Sequence, residues 1–300
     1  MRILVTGKNG QLGRSIQNIV NTDTKIGNNQ NPNDFIFVGR EELDLRSESS
    51  ISHYFDNNDK FDIFINCAAY TQVDQAEQEI ELSNQINHLA VKQLASIASK
   101  QQARLIHIST DYVFDGESDK PYTETDETNP VNVYGKTKLA GEKALQTEMP
   151  MNAIVIRTSW LYSEYGNNFV STMLRLCRER DELSVVNDQI GSPTYAADLA
   201  DAILEIINHK KFRDLGQTTK IYHFSSESEI SWHEFAKEIF KIEKIGYVVD
   251  PVTSQQYPTP AKRPRNTLMN KDKIVEAFNI KISNWKFSLN TCMKILKEKK

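Results

Sequence analysis

The chain has 300 residues, 39% of them apolar, which is enough for one large α/β domain or two smaller ones around a buried core. A formal net charge of −4 supplies no broad basic surface, so nucleic acid is excluded as an expected partner. Cys67, Cys177 and Cys292 are widely spaced and form no C-x-x-C pair, which argues against a disulfide scaffold or a zinc ribbon.

Residues 2–6, RILVT, are a short apolar run ending at a glycine, the pattern of a buried parallel strand. QLGRSIQNIV follows with apolar residues at helical spacing. The polar, Asn-rich stretch 21–34 reads as a surface loop. Strands are expected at 34–39, 60–69, 104–110 and 152–160. Helices are expected at 87–102, with Leu89, Leu94 and Ile97 among the apolar positions, and at 131–146. This alternation predicts a Rossmann-type α/β fold, a doubly wound parallel sheet with helices on both faces. After residue 160 the rhythm breaks, which predicts a smaller C-terminal α/β domain over the cleft. The expected division gives 1–160 plus about 187–209 to the larger domain, and about 161–186 plus 210–300 to the smaller one. No apolar run approaches the roughly 18 residues of a membrane span, and the N-terminus shows no signal-peptide pattern. The expected location is the cytoplasm, with no membrane partner.

Four local patterns carry chemistry. Thr6, Gly7, Gly10 and Gly13 form T-G-x-x-G-x-x-G between the first strand and the first helix. Glycines there permit a tight turn and close approach of the backbone to a pyrophosphate, which the helix N-terminus then faces. The second strand ends at Gly39-Arg40, where NAD enzymes usually carry an acidic residue for the ribose 2′-hydroxyl. An arginine there can pair with a 2′-phosphate, which points to NADPH, with NADH the alternative. Asp44 is placed near the adenine. Tyr134 and Lys138 are an i, i+4 pair on one helix face, where an ammonium is expected to lower the phenol's pKa and make an acid/base unit for carbonyl reduction. Ser109, Thr110 and Asp111 close the fourth strand, where a hydroxyl can bond a substrate carbonyl and a carboxylate a sugar hydroxyl.

These elements match the extended short-chain dehydrogenase/reductase class. GKNGQLG, NCAAYTQVDQAE, STDYVFDG, NVYGKTKLAGE, IRTSWLY, GNNF, VNDQIGSPT and YPTPAKRPRN run in this order along nearly the whole chain. In them the sequence resembles the dTDP-4-dehydrorhamnose reductase family. The resemblance implies reduction of the C4 ketone of a dTDP-sugar substrate, dTDP-4-dehydro-L-rhamnose, with NADPH or NADH. It implies that Tyr134 protonates the nascent alkoxide, that Lys138 binds the nicotinamide ribose and tunes Tyr134, and that Thr110 bonds the reacting oxygen. Asp111, Trp160 and Asn168 would contact the substrate. Arg263 would approach the diphosphate or stay solvated. Gly10, Gln11 and Leu12 would bind the cofactor, as would Ala69, Tyr70 and Thr71 after the third strand. Some family members dimerise through a magnesium site built from glutamates. Ser15 and the YAADLAD segment stand where those glutamates fall, which puts magnesium in doubt and leaves the assembly a monomer or a homodimer. Tyr112 stands where the related dehydratases carry a glutamate for water elimination, which argues against dehydration. A bifunctional 3,5-epimerase/4-reductase acting on a UDP- or dTDP-4-keto-6-deoxyglucose, and a non-catalytic NADP-binding regulatory subunit, remain as alternative functions.

Overall fold

A computed structural model describes residues 1–22 and 33–298. Most of the expected 21–34 loop lies outside the described residues. Among them, strands β1 (Arg2–Thr6), β2 (Asp34–Val38), β3 (Ile63–Asn66), β4 (Arg104–Thr110) and β5 (Ala153–Thr158) pair in parallel in the order β2-β1-β3-β4-β5. Strand order reverses between β1 and β3, and in such sheets the ligand crevice opens outside the carboxyl ends of the strands at that point. The Rossmann-type expectation therefore holds.

Alternation along each strand makes two cores. Ile3, Val5, Ile63, Ile65, Ile154 and Ile156 face one side. Leu4, Phe64, Leu105 and Val155 face the other. Both sides are apolar because helices cover both, which is why the strands read as continuous hydrophobic runs. Helix α1 (Gln11–Thr22) buries Leu12 and Ile16 on the first side. Helices α2 (Glu48–Asp56) and α3 (Ala90–Lys100) cover the second with Ile51, Phe55, Val91 and Leu94.

The helix expected at 87–102 is preceded by helical residues from Ile80, and Gln85–Leu89 is wound as a π-turn. The wider turn rotates the face, so Leu89 is 42% exposed while Leu94 is buried. Inside this turn Asn87 clamps the Tyr70 backbone, accepting from its N–H at 2.9 Å and donating to its carbonyl at 3.0 Å. Helix α4 (Val133–Glu148) starts at Asn132, whose side chain accepts from the Gly135 N–H.

A second cluster lies over the carboxyl ends of the sheet. It joins α5 (Phe169–Glu179), β6 (Leu183–Val186), later segments α7 (Trp232–Ile242) and β8 (Val249–Val252), and the C-terminal α9 (Trp285–Glu298) around Tyr162, Val170, Phe235 and Leu289. Between them, α6 (Ala196–Asn208) packs Leu199, Ile203 and Ile207 onto the first face of the main sheet. The expected boundary needs one correction. Strand β7 (Lys220–His223) is the sixth strand of the main sheet, parallel to β5, and α8 (Asp272–Phe278) packs Ile274 and Phe278 on the same core. Tyr222 and Phe224 draw this segment in, because their apolar faces complete that core. The stretch 210–300 is therefore shared between the two bodies.

Candidate active site

A cavity of about 1050 Å³ opens along the carboxyl ends of the strands. One end is the β1–α1 turn. Gly7 takes φ +74°, which strains any residue with a side chain. Gly13 does not line the cavity. A Cβ on it would lie 2.2 Å from the Gly7 carbonyl oxygen, so its role is to let α1 press against the turn. Gly10, Gln11 and Leu12 line the cavity at the start of α1, where the first-turn N–H groups lack helical partners. This cradle fits a pyrophosphate.

Farther along the same wall lie Gly39, Arg40 and Asp44. Arg40 is exposed. The sequence reading missed its neighbours. Glu42 accepts from the Gly39 N–H at 2.8 Å and pairs with the Lys8 ammonium. Arg46 forks onto Asp44, whose carboxyl it holds below the ordinary carboxylate range. Ala69 and Thr71, after β3, also line the cavity. The Tyr70 side chain does not. It turns into an apolar cluster with Ala76 and Ile86 and donates its hydroxyl to Glu79 at 2.8 Å.

At the inner end the structure brings together Thr110, Asp111, Tyr134 and Lys138. Strand β4 ends at Thr110, whose hydroxyl donates to Asp111 Oδ1 at 2.9 Å. Burial pushes the Asp111 carboxyl up to about 6, against the pull of the Thr267 and Thr110 hydroxyls. Tyr134 and Lys138 share one face of α4, one turn apart. Burial pushes the Tyr134 phenol up to about 12, with the neighbouring Thr110 hydroxyl drawing it down and Asp111 adding to the rise. The expected lowering of Tyr134 by Lys138 is therefore corrected. The Lys138 ammonium donates to the Ile108 carbonyl at 2.6 Å, and burial lowers its own pKa to about 8. A phenol with that shift is protonated at neutral pH and available as an acid.

The opposite wall comes from the second body. Trp160 leaves β5 with φ +46° and stacks on Trp232 at 3.6 Å between ring centroids and 9° between planes. Both indoles line the cavity. Gly191 makes room, since a Cβ there would come within 2.7 Å of the Trp160 ring. Trp232 escaped the sequence reading. Its helix start is legible as the Ser231–Glu234 capping box, but its partner is 72 positions away and no spacing rule connects them. Asn168 caps α5, accepting from Ser171, and donates to Gln11 at 3.0 Å, so it ties the second body to the glycine turn. Arg263 does not line the cavity. Its guanidinium grips both oxygens of Asp74, at 3.0 and 2.7 Å, an ion pair that the sequence reading did not foresee. Among the described residues no group of three or more His, Cys, Asp or Glu is placed to hold a metal ion, and Ser15 donates to the Gln11 carbonyl.

Comparison with known proteins narrows the chemistry. The family model described as RmlD substrate binding domain matches residues 1–298. A dTDP-4-dehydrorhamnose reductase from Aggregatibacter actinomycetemcomitans is 41% identical over 296 residues, 96% of this chain and 97% of its own. The crystal structure of a dTDP-4-dehydrorhamnose reductase from Clostridium acetobutylicum superposes with a TM-score of 0.89 at 38% identity, covering 99% of this chain and 100% of that one. The Bacillus anthracis enzyme of the same name, in complex with NADP, gives 0.86 at 36% identity over 98% and 99% of the two chains.

Proposed function

The chain belongs to the RmlD substrate-binding-domain family of dTDP-4-dehydrorhamnose reductases, and on that premise we propose that it reduces the C4 ketone of dTDP-4-dehydro-L-rhamnose to dTDP-L-rhamnose with NADPH. One observation carries the residue assignment. The glycine turn, the Gly39–Arg40 strand end and the Thr110, Tyr134 and Lys138 trio line a single cavity, so a cofactor held by the first two extends toward the third. Gly7, Gly10, Gln11 and Leu12 would hold the pyrophosphate, Arg40 the 2′-phosphate, and Ala69, Thr71 and Lys138 the nicotinamide half. Bound there, the reduced nicotinamide supplies the hydride that adds to C4.

The protein's own part is proton supply and placement. Thr110 would turn its one hydroxyl proton from Asp111 to the ketone oxygen and hold that oxygen beside the Tyr134 phenol. As negative charge grows on that oxygen, Tyr134 gives up its proton to it. Lys138, one turn along α4, orients the ribose and compensates the phenolate left behind. Asp111 takes a sugar hydroxyl, and the Trp160–Trp232 pair forms an apolar wall for the sugar ring. We assign cofactor binding to the body containing the main sheet, and the sugar nucleotide to the face presented by α5 and α7. Among the described residues no helix is long and apolar enough to cross a membrane.

The test is NADPH oxidation with dTDP-4-dehydro-L-rhamnose, run beside the UDP-linked sugar and beside NADH. Consumption with the dTDP substrate is expected. No consumption with any pair overturns the assignment. Product from the unepimerised 4-keto-6-deoxyglucose nucleotide, with no epimerase added, would replace it with the bifunctional alternative.

A further inference from the structure

Lys138 ends a chain of buried hydrogen bonds of which only the two terminal members, Thr6 and Lys138, line the cavity. Four side chains make it: Thr6 on β1, Asn66 on β3, His107 on β4 and Lys138 on α4. All are buried, His107 completely.

The direction of the chain follows from its first link. The Ala68 N–H donates to Thr6 Oγ1 at 3.3 Å, and that hydroxyl passes its own proton to Asn66 Oδ1 at 2.6 Å. Asn66 then has only its amide hydrogens to offer, and Nδ2 meets His107 Nδ1 at 3.1 Å. A ring nitrogen that accepts is unprotonated, so the neutral imidazole carries its proton on Nε2. Nε2 lies 3.4 Å from Lys138 Nζ. An ammonium has no lone pair and would meet this N–H donor to donor, whereas a free amine accepts it. Lys138 keeps an N–H for the Ile108 carbonyl in either state.

We propose that His107 is a positioning residue that, by presenting Nε2–H to Lys138, favours the unprotonated amine and so sets the alkaline limit of turnover. The inference rests on the role proposed above for Lys138. The surroundings agree with it. Burial keeps His107 neutral, with the Lys138 charge working the same way. Glu142, one turn on along α4, draws the Lys138 pKa up, but it is already paired with Arg157 of β5 at 2.7 Å and accepts from Ser109 of β4. Asp111 closes β4, and Tyr134, one turn back on α4, holds its proton. Burial also keeps the Cys67 thiol after β3 protonated.

Two measurements test this. In protein labelled with ¹⁵N-histidine, free and with NADP⁺, His107 should show the Nε2–H tautomer with an unprotonated, hydrogen-bonded Nδ1. Its signal is identified by its loss in His107→Leu. A proton on Nδ1, or on both nitrogens, overturns the proposal, and this reading needs no turnover, so it stands apart from any failure of the reductase assignment. In the pH profile of kcat, the falling alkaline limb should move up in His107→Leu by about one pH unit, the worth of one neutral hydrogen bond. A lower kcat at every pH with the limb in place means a merely structural role and overturns the proposal. Asn66→Asp guards against a leucine variant that does not fold. A carboxylate can only accept, so it should pull the His107 proton to Nδ1 and turn Nε2 into an acceptor. An unchanged tautomer in that variant also refutes the direction argued here.

Discussion

The two ends of the cavity use similar charged groups in opposite surroundings. At the inner end Lys138 is 1% exposed, Asp111 2% and Thr110 5%. At the outer end Arg40 is exposed, and Lys8, Glu42 and Arg46 stand partly in water. Water screens charge, so an exposed pair has little effect on either partner, whereas a dry one shifts protonation and carries stability. Under the proposed function the inner end decides chemistry and pH response, and the outer end decides which cofactor enters.

The largest effect that would sharpen this contrast is in Tyr134→Phe. Turnover should fall by about 10²–10⁴ while NADPH affinity, read by fluorescence titration, stays the same. Unchanged turnover would remove Tyr134 as the acid. Next comes the ion pair beneath the inner end, Arg157–Glu142, at 3% and 2% exposure. Arg157→Met strands a buried carboxylate, and thermal or denaturant unfolding should register a loss of about 3–5 kcal/mol.

Asp111→Asn tests the dry end by pH. Its folded pKa of about 6 lies above the ordinary 3.8, so the folded state binds this proton more tightly than the unfolded chain does. Stability contributed by the group is complete below about 4 and is lost as pH rises through about 6. The variant should therefore melt higher than the parent above pH 6 and match it below about pH 4. A difference of the same size at both ends of that range would contradict the burial argument. At the outer end, Arg40→Ala should raise KM for NADPH about tenfold and leave NADH unchanged. The smallest effect belongs to Lys8→Ala, whose partly exposed pair with Glu42 should contribute no more than about 1 kcal/mol to stability. A larger loss would break the distinction between the two ends.

Much of the site was legible because its motifs are local. A glycine turn between a strand and a helix, and an i, i+4 pair on one helix, are set by backbone geometry that spacing reports directly. Arg263 and Tyr70 show the opposite case. Their partners, Asp74 and Glu79, compete for them through space, and nothing in the residue type shows which partner wins. Trp232 and His107 were missed on the same ground.

By itself the sequence determined the alternation of strands and helices, the glycine turn between the first strand and helix, and the Tyr134–Lys138 spacing on one helix, because periodicity and short spacings are properties of the chain. Only the tertiary structure decided that Lys220–His223 closes the main sheet, that Trp232 completes the wall begun by Trp160, and how strongly Tyr134, Lys138 and Asp111 hold their protons. Each of these depends on which distant groups exclude water from a given atom, and burial of that kind exists only once the chain has packed.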